Sequence, residues 1–232
     1  NPDDTITATL SDTAGNTSGQ ATATALPADT QVAAPSVSLD DDTGADRSDG
    51  ITNDGSYTVN NVEAGSTVEY SDDGGTSWST DAPDATEGMN TIQVRQTDHA
   101  GNVSETSELT FTLDTTADKG DVNVGSITGD GKLRLEEVTQ TQFIPVKGTA
   151  TGGAIAENDP VTMTINGTEY STEVDSEGKW SVDVDGLDLA ADNEFDVTVV
   201  SSDVAGDTVD STATSTHSNP VRFFANDQQT YT

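Results

Sequence analysis

A six-residue turn recurs three times along this chain, as Ser11-Asp12-Thr13-Ala14-Gly15-Asn16, Thr97-Asp98-His99-Ala100-Gly101-Asn102 and Ser202-Asp203-Val204-Ala205-Gly206-Asp207. Each copy follows a run in which apolar and polar residues alternate, with Ile6 and Ala8, Ile92 and Val94, then Val197 and Val199 at equivalent positions. Alternation with a period of two turns one face of a strand inward, so each turn closes a repeated strand pair. The copies lie about 100 residues apart, the size of a small β-sandwich and not the roughly 20 to 50 residues of a solenoid unit. The chain therefore reads as all-β, with small Greek-key sandwiches laid end to end.

Residues 1–33 supply one hairpin, with Thr5 to Ser11 and Thr17 to Ala25 flanking the first turn. A lone hairpin is marginal in water, so this one is expected to be the C-terminal hairpin of a truncated preceding repeat. A first complete domain is expected over 34–116. Its strands hold Val37 and Leu39, Tyr57 to Val59, Val68 to Tyr70, Ile92 to Gln96, and Leu109 to Leu113. Ser71-Asp72-Asp73-Gly74-Gly75 makes a hairpin turn, and Trp78 is expected in the core. A second domain is expected over 117–220. There Asn166-Gly167 joins Val161, Met163 and Ile165 to Tyr170, Thr172 and Val174, and Trp180 to Val184 and Phe195 to Val199 continue the pattern. Residues 221–232 carry Val221-Arg222-Phe223-Phe224, a tail or the start of a following domain.

Charge narrows the function classes. Forty-two acidic residues against 8 basic ones give a formal net charge of -34. Carboxylates at that density repel one another and favour expansion unless salt or metal ions compensate. The same sign excludes nucleic acid and anionic membrane as partners, since both need a positive footprint. No apolar run reaches the roughly 18 residues of a membrane span, so direct membrane insertion is not expected. Cysteine is absent and only 31% of the residues are hydrophobic, which leaves metal ions to reinforce thin cores. No nucleophile motif, phosphate-cradling loop or helical zinc pair occurs. His99 stands where the other turns have Thr13 and Val204. The chain is not expected to be an enzyme.

The acidic loops suggest calcium, which takes about six to eight oxygen ligands in irregular geometry. Asp40, Asp41, Asp42, Asp46 and Asp49 crowd one loop between Gly44 and Gly50 or beside them; they either hold a cation or are solvated. Asp98 and Asn102 bracket a glycine turn and either share an ion or bond to their own backbone. Asp130 with Glu136, and Asp203 with Asp207, form weaker pairs of the same kind. The stretch Leu113 to Asp121 contains no proline, and Asp114 and Asp118 either are linker ligands of a calcium completed by a nearby loop such as that of Asp98 and Asn102, or Asp114 only caps a turn through its own backbone. None of these spacings fits the continuous loop of an EF-hand.

Ala34-Pro35-Ser36-Val37-Ser38-Leu39, Val68-Glu69-Tyr70-Ser71-Asp72-Asp73-Gly74-Gly75-Thr76-Ser77-Trp78, Val94 to Asn102 and Leu113-Asp114-Thr115-Thr116-Ala117 resemble the bacterial immunoglobulin-like repeats of giant RTX and biofilm adhesins. Residues 122–214 are similar to the calcium-dependent extender repeats of the Antarctic ice-binding adhesin, through Ile127-Thr128-Gly129-Asp130, Val161 to Tyr170, Leu187 to Asp192 and Ser201 to Gly206. Two positions depart from the repeat pattern: Asp118 stands where proline is usual and Asp207 where asparagine is usual. The resemblance implies tandem immunoglobulin-like Greek-key β-sandwiches with Ca2+ at domain ends and linkers. It also implies a monomeric tether at the bacterial cell surface, secreted by the type I route, whose partners are neighbouring repeats of the same polypeptide. An alternative is a glycan- or protein-binding immunoglobulin-like module of the same adhesin, which needs an exposed aromatic platform from Trp78, Trp180 or Tyr231, or a calcium open to ligand hydroxyls.

Overall fold

A computed structural model describes residues 4–24, 27–140 and 143–218. The expected aromatic strand at 221–224, and Tyr231, lie outside the described residues. The chain forms two compact units. The first gathers the described residues of Asn1–Asp40, Ser56–Ala85 and Asn90–Thr110, the second those of Asp41–Gly55, Thr86–Met89 and Phe111–Thr232.

In the first unit β1 (Thr5–Ala8) and β2 (Ala21–Thr24) pair antiparallel as a hairpin with every residue exposed, Ile6 included. Strands β3 (Ser36–Leu39) and β5 (Tyr57–Asn60) pair antiparallel. Strand β6 (Thr67–Ser71) pairs with β7 (Gly88–Thr97), whose inward face carries Ile92, Val94 and Gln96. Gln96 is fully buried. Its Nε2 donates to the carbonyls of Ala33 at 2.8 Å and Asn61 at 3.2 Å, and its Oε1 accepts from the Glu63 amide at 2.8 Å. A buried amide is tolerated because each of these polar groups finds a partner, and the same bonds fasten the chain entering β3 and the chain leaving β5.

Trp78 differs from expectation. It is half-buried, with the Arg95 guanidinium 4.0 Å from its ring centroid and its Nε1 donating to the Gly75 carbonyl at 3.2 Å. A cation over the ring takes the place of the core packing that the strand pattern suggested.

Strand β8 (Ser107–Leu113) passes from the first unit into the second, where the two-residue β4 (Ile51–Thr52) lies parallel to its end. The remainder of the second unit is a sandwich. One sheet has the order β13 (Lys179–Asp185), β10 (Phe143–Thr151), β9 (Asp121–Val124). The other has β12 (Thr168–Glu173), β11 (Pro160–Ile165), β14 (Glu194–Ser202), β15 (Thr208–Thr216). Inward residues Ile144, Val146, Trp180 and Val184 face Val161, Met163, Ile165, Phe195, Val197 and Val199 in one continuous core. Gly148 pairs with Trp180 across β10 and β13, and a Cβ there would stand 2.6 Å from the indole ring. The Trp180 ring lies over the neighbouring strand at that point because residue 148 has no side chain.

Two short helices cap this core, α1 (Leu135–Gln140) and α2 (Gly186–Ala191). Each is too short to show a helical period in sequence, and their starts are fixed by local bonds. Asp185 accepts from the Leu187 amide at 2.8 Å, and Glu137 accepts from the Arg134 amide at 2.7 Å. Leu189 and Val138 then seal the end of the sandwich.

Candidate metal centre

The three repeated turns share one backbone frame. The leading aspartate donates its amide to the carbonyl of the last residue, at 2.9 Å for Asp12 to Asn16 and 3.0 Å both for Asp98 to Asn102 and for Asp203 to Asp207. The glycine amide returns to the aspartate carbonyl in all three, and Gly15, Gly101 and Gly206 have φ near +90°, which the missing Cβ permits.

Their side chains differ. Asp12 Oδ1 accepts from the Asn16 amide at 2.9 Å, and Oδ2 accepts from Asn16 Nδ2 at 2.9 Å. The same two bonds join Asp98 to Asn102 at 2.8 and 2.7 Å. Asn102 is the leading cause that holds the Asp98 carboxyl below its ordinary value. Asp98 and Asn102 are thus brought together, each satisfying the other, with Asp98 only 6% exposed.

In the third turn Asp203 Oδ1 accepts from the amides of Gly206 and Asp207 at 2.9 Å each, but Oδ2 is buried with no hydrogen-bond partner. Asp207 cannot donate to it. Asp207 Oδ1 accepts from Asn53 Nδ2 at 3.3 Å, and its Oδ2 is likewise buried and unpartnered. Carboxylate oxygens of Asp114, Asp203 and Asp207 all lie within 4.8 Å of one another, and the three residues are half-buried.

The second unit builds this cluster from three segments. Asp114 follows β8 and is held by its amide donating to the Thr52 carbonyl at 3.0 Å. Asp203 and Asp207 stand on the turn between β14 and β15. The loop 41–55 is pinned beside them by Thr43 Oγ1, which donates to the Ala205 carbonyl at 2.6 Å, and by Asn53. A Cβ on Gly44 would lie 2.0 Å from the Val204 carbonyl oxygen, so only glycine allows this approach. Three carboxylates in reach of one point, with two buried oxygens lacking any donor, fit a hard cation that binds through oxygen. Asp114, Asp203 and Asp207 would hold it.

The other expected ligands are dispersed. Asp40 accepts from Thr58 Oγ1 at 2.6 Å, Asp46 from the Ser48 hydroxyl at 2.8 Å and Asp49 from the Ile51 amide at 2.9 Å. Asp41 faces Arg47 at 3.5 Å. Asp42 Oδ2 accepts from the Gly50 amide at 3.0 Å, while Oδ1 is buried and unpartnered. Asp118 has an exposed side chain, and its carbonyl accepts from the Ala154 amide at 2.9 Å. Asp130 pairs with Arg134 at 2.5 Å, and Glu136 sits exposed in the first turn of α1. Within the second unit Asp114 therefore meets Asp203 and Asp207, and Asp118, its expected linker partner, is not part of that group. The separation in sequence between 114 and 203 hides this meeting. Gly44 is legible as the turn glycine of the acidic loop, whereas Thr43 and Asn53 carry no signal in the sequence beyond the turn-forming residues around them.

Several carboxyls outside the cluster prefer the charged form. The Ser77 hydroxyl, followed by the Ser77 amide and Ser71 hydroxyl, draws Asp73 down to about 2. Asp12, Asp98, Asp130, Asp175 and Asp188 are lowered as well, Asp188 chiefly by the Tyr170 hydroxyl. A carboxyl lowered on folding stabilises the fold fully above its unfolded value of about 3.9, and that contribution is lost as pH falls through the folded value. Above that range, acidification relieves the repulsion of a -34 chain. In chelator the melting temperature should therefore rise as pH falls from 7 toward about 4, then drop toward pH 2. Thermal melts across this range check it, and a continuous rise to pH 2 would contradict it.

The second unit is thus a β-sandwich with turn-borne carboxylates gathered in one cluster. The model of the bacterial Ig-like domain family matches residues 29–115. Among solved structures, the chain is similar to a bacterial immunoglobulin-like domain from the M. primoryensis ice-binding adhesin, at 54% identity over 44% of this chain and 97% of that one, with a TM-score of 0.42. It is similar at 35% identity to a Ca2+-stabilized adhesin described as helping an Antarctic bacterium reach out and bind ice, over 92% of this chain and 55% of that one, TM-score 0.60. A structure concerning host cell surface retention of a 1.5-MDa bacterial ice-binding adhesin matches at 34% identity over 90% of this chain and 71% of that one, TM-score 0.56. No curated protein sequence matches the chain. The chain belongs to the bacterial Ig-like repeats found in such adhesins and is a non-catalytic module of that family.

Proposed function

We propose that this segment is a calcium-rigidified extender of a large bacterial surface adhesin, secreted by the type I route, which projects a distal binding module away from the cell. The single observation that carries the calcium reading is the cluster of Asp114, Asp203 and Asp207, with Asp203 Oδ2 and Asp207 Oδ2 buried and lacking donors. Similarity to a Ca2+-stabilized adhesin supports the same reading. The segment acts as two repeats, 34–116 and 117–220, whose partners are neighbouring repeats of one polypeptide, with the chain itself monomeric.

A bound calcium supplies the positive charge that three convergent carboxylates lack. The residues do the rest. Asp114 ties the chain leaving β8, Asp203 and Asp207 tie the β14–β15 turn, and Thr43 and Asn53 hold loop 41–55 against that turn. Without a cation, repulsion among the carboxylates opposes the hydrogen bonds that bring these segments together. The β-sandwich end therefore stiffens or loosens with calcium, and an end at which segments far apart in sequence converge is where stiffness serves a tether. Neither tryptophan offers an open platform for a glycan, since Trp180 is 3% exposed and Trp78 lies under Arg95.

Small-angle scattering at fixed ionic strength tests the extender reading. In millimolar calcium the chain should show a longer maximum dimension and less flexibility than in chelator. Superimposable curves in the two conditions would overturn it.

A further inference from the structure

Within one frame, the last residue of the repeated turn varies between asparagine and aspartate, and the hydrogen bonds follow that choice. In the turns at 12–16 and 98–102, the asparagine amide donates to the second oxygen of the aspartate. In the turn at 203–207 the backbone bonds are kept, yet the donor is replaced by a second acceptor. Replacing one NH2 by an oxygen leaves Asp203 Oδ2 and Asp207 Oδ2 buried and unpartnered, with Asp114 converging on them.

We propose that the fifth position of this turn, counted from its aspartate, decides whether the turn takes a divalent cation. Asp207 commits the 203–207 turn to one, whereas Asn16 and Asn102 close their turns without it. This rests on the calcium reading of the Asp114, Asp203 and Asp207 cluster and goes beyond it. A buried acceptor needs a positive or hydrogen-bearing partner, and a side-chain amide or a cation each meets that need, though not both at once. The asparagine turn is a self-capped turn that is complete on folding. The aspartate turn is incomplete until a cation joins it, so the same backbone motif serves as a constitutive turn at two places and as a calcium-dependent one at the third. Asn53 fits this scheme, because its Nδ2 already meets Asp207 Oδ1 and leaves Oδ2 for the cation.

The test uses the full chain and three proteins: the unaltered one, Asp207→Asn and Asp207→Ala. Calcium stoichiometry is measured by equilibrium dialysis, and melting temperature is measured in chelator. Asp207→Asn should lose one calcium equivalent and melt higher in chelator than the unaltered chain, because the new amide donates to Asp203 Oδ2. Asp207→Ala should lose the same equivalent while melting below Asp207→Asn, since it removes a ligand without supplying a donor. This gain in chelator is the readout that simple loss of a ligand would not produce. Asp207→Asn overturns the proposal if it retains the full stoichiometry, or if in chelator it melts no higher than both the unaltered chain and Asp207→Ala. Should the unaltered chain itself bind no calcium, the extender reading fails in that arm and the commitment by Asp207 fails with it. Full stoichiometry in Asp207→Asn beside a calcium-binding unaltered chain sinks the switch alone.

Discussion

Removing calcium should lower the melting temperature of the second unit by about 10 °C. A ligand bound only to the folded state stabilises by mass action, about 3 to 4 kcal/mol when its free concentration is roughly 100 to 1,000 times the dissociation constant. For a unit of this size, one kcal/mol moves the transition by roughly 2 to 4 °C. The change should be confined to the transition that reports the sandwich of β9 to β15 and to proteins with the cluster intact. Asp114→Ala should abolish most of it, because Asp114 brings a carboxylate to the cluster from a segment separate from the 203–207 turn. Scanning calorimetry in calcium and in chelator reads this directly. Equal transitions in both conditions, or an Asp114→Ala protein that responds to calcium as fully as the unaltered one, would contradict it.

Gly44→Ala should be the most damaging single substitution in the loop 41–55. Gly44 has φ of +80°, and its missing Cβ would lie 2.0 Å from the Val204 carbonyl oxygen and 3.1 Å from its carbon. Gly206 approaches from the other side, where an added Cβ would sit 3.0 Å from the Gly44 nitrogen. An alanine at 44 must push the loop off the turn, breaking the Thr43 bond to Ala205 and the Asn53 bond to Asp207. Gly65→Ala is the control: φ there is +88°, but nothing lies within 4 Å of the added Cβ. It carries the left-handed backbone cost alone, about 1 to 2 kcal/mol. The expected loss for Gly44→Ala exceeds that by about 2 kcal/mol or more and comes with weaker calcium binding. Denaturant melts and a calcium titration of both variants check this. Similar losses in the two, with calcium affinity unchanged, would show that the loop does not support the cluster.

Much of the fold is legible from alternation. The runs at Ile92 to Gln96, Val161 to Ile165, Trp180 to Val184 and Phe195 to Val199 form strands with those residues inward, and Asn166-Gly167 turns β11 into β12. The helices α1 and α2 are not legible, because a helix of six residues has too few turns to show a face. Trp78 reads as core from its place after a glycine turn, while its surroundings are set by Arg95 on a strand that follows later in sequence. The candidate site is half legible. Asp114, Asp203 and Asp207 stand out as acidic residues at strand ends, and the asparagine-to-aspartate change at 207 is visible by comparing the chain with itself. That Asp114 and the 203–207 turn converge is a tertiary fact, fixed by the Thr52, Thr43 and Asn53 bonds and by the space at Gly44. Local spacing instead favours Asp98 with Asn102 and the five aspartates of 40–49, whose oxygens mostly bond to nearby amides and hydroxyls.

The most direct test is a crystal structure of the full chain grown in calcium, with anomalous scattering used to identify the ion. The expected result is one calcium with carboxylate oxygens of Asp114, Asp203 and Asp207 at about 2.3 to 2.6 Å, its remaining positions filled by backbone carbonyls or water. No ion at those three carboxylates in calcium-saturated crystals, or a lysine or arginine filling the space between them, would contradict it.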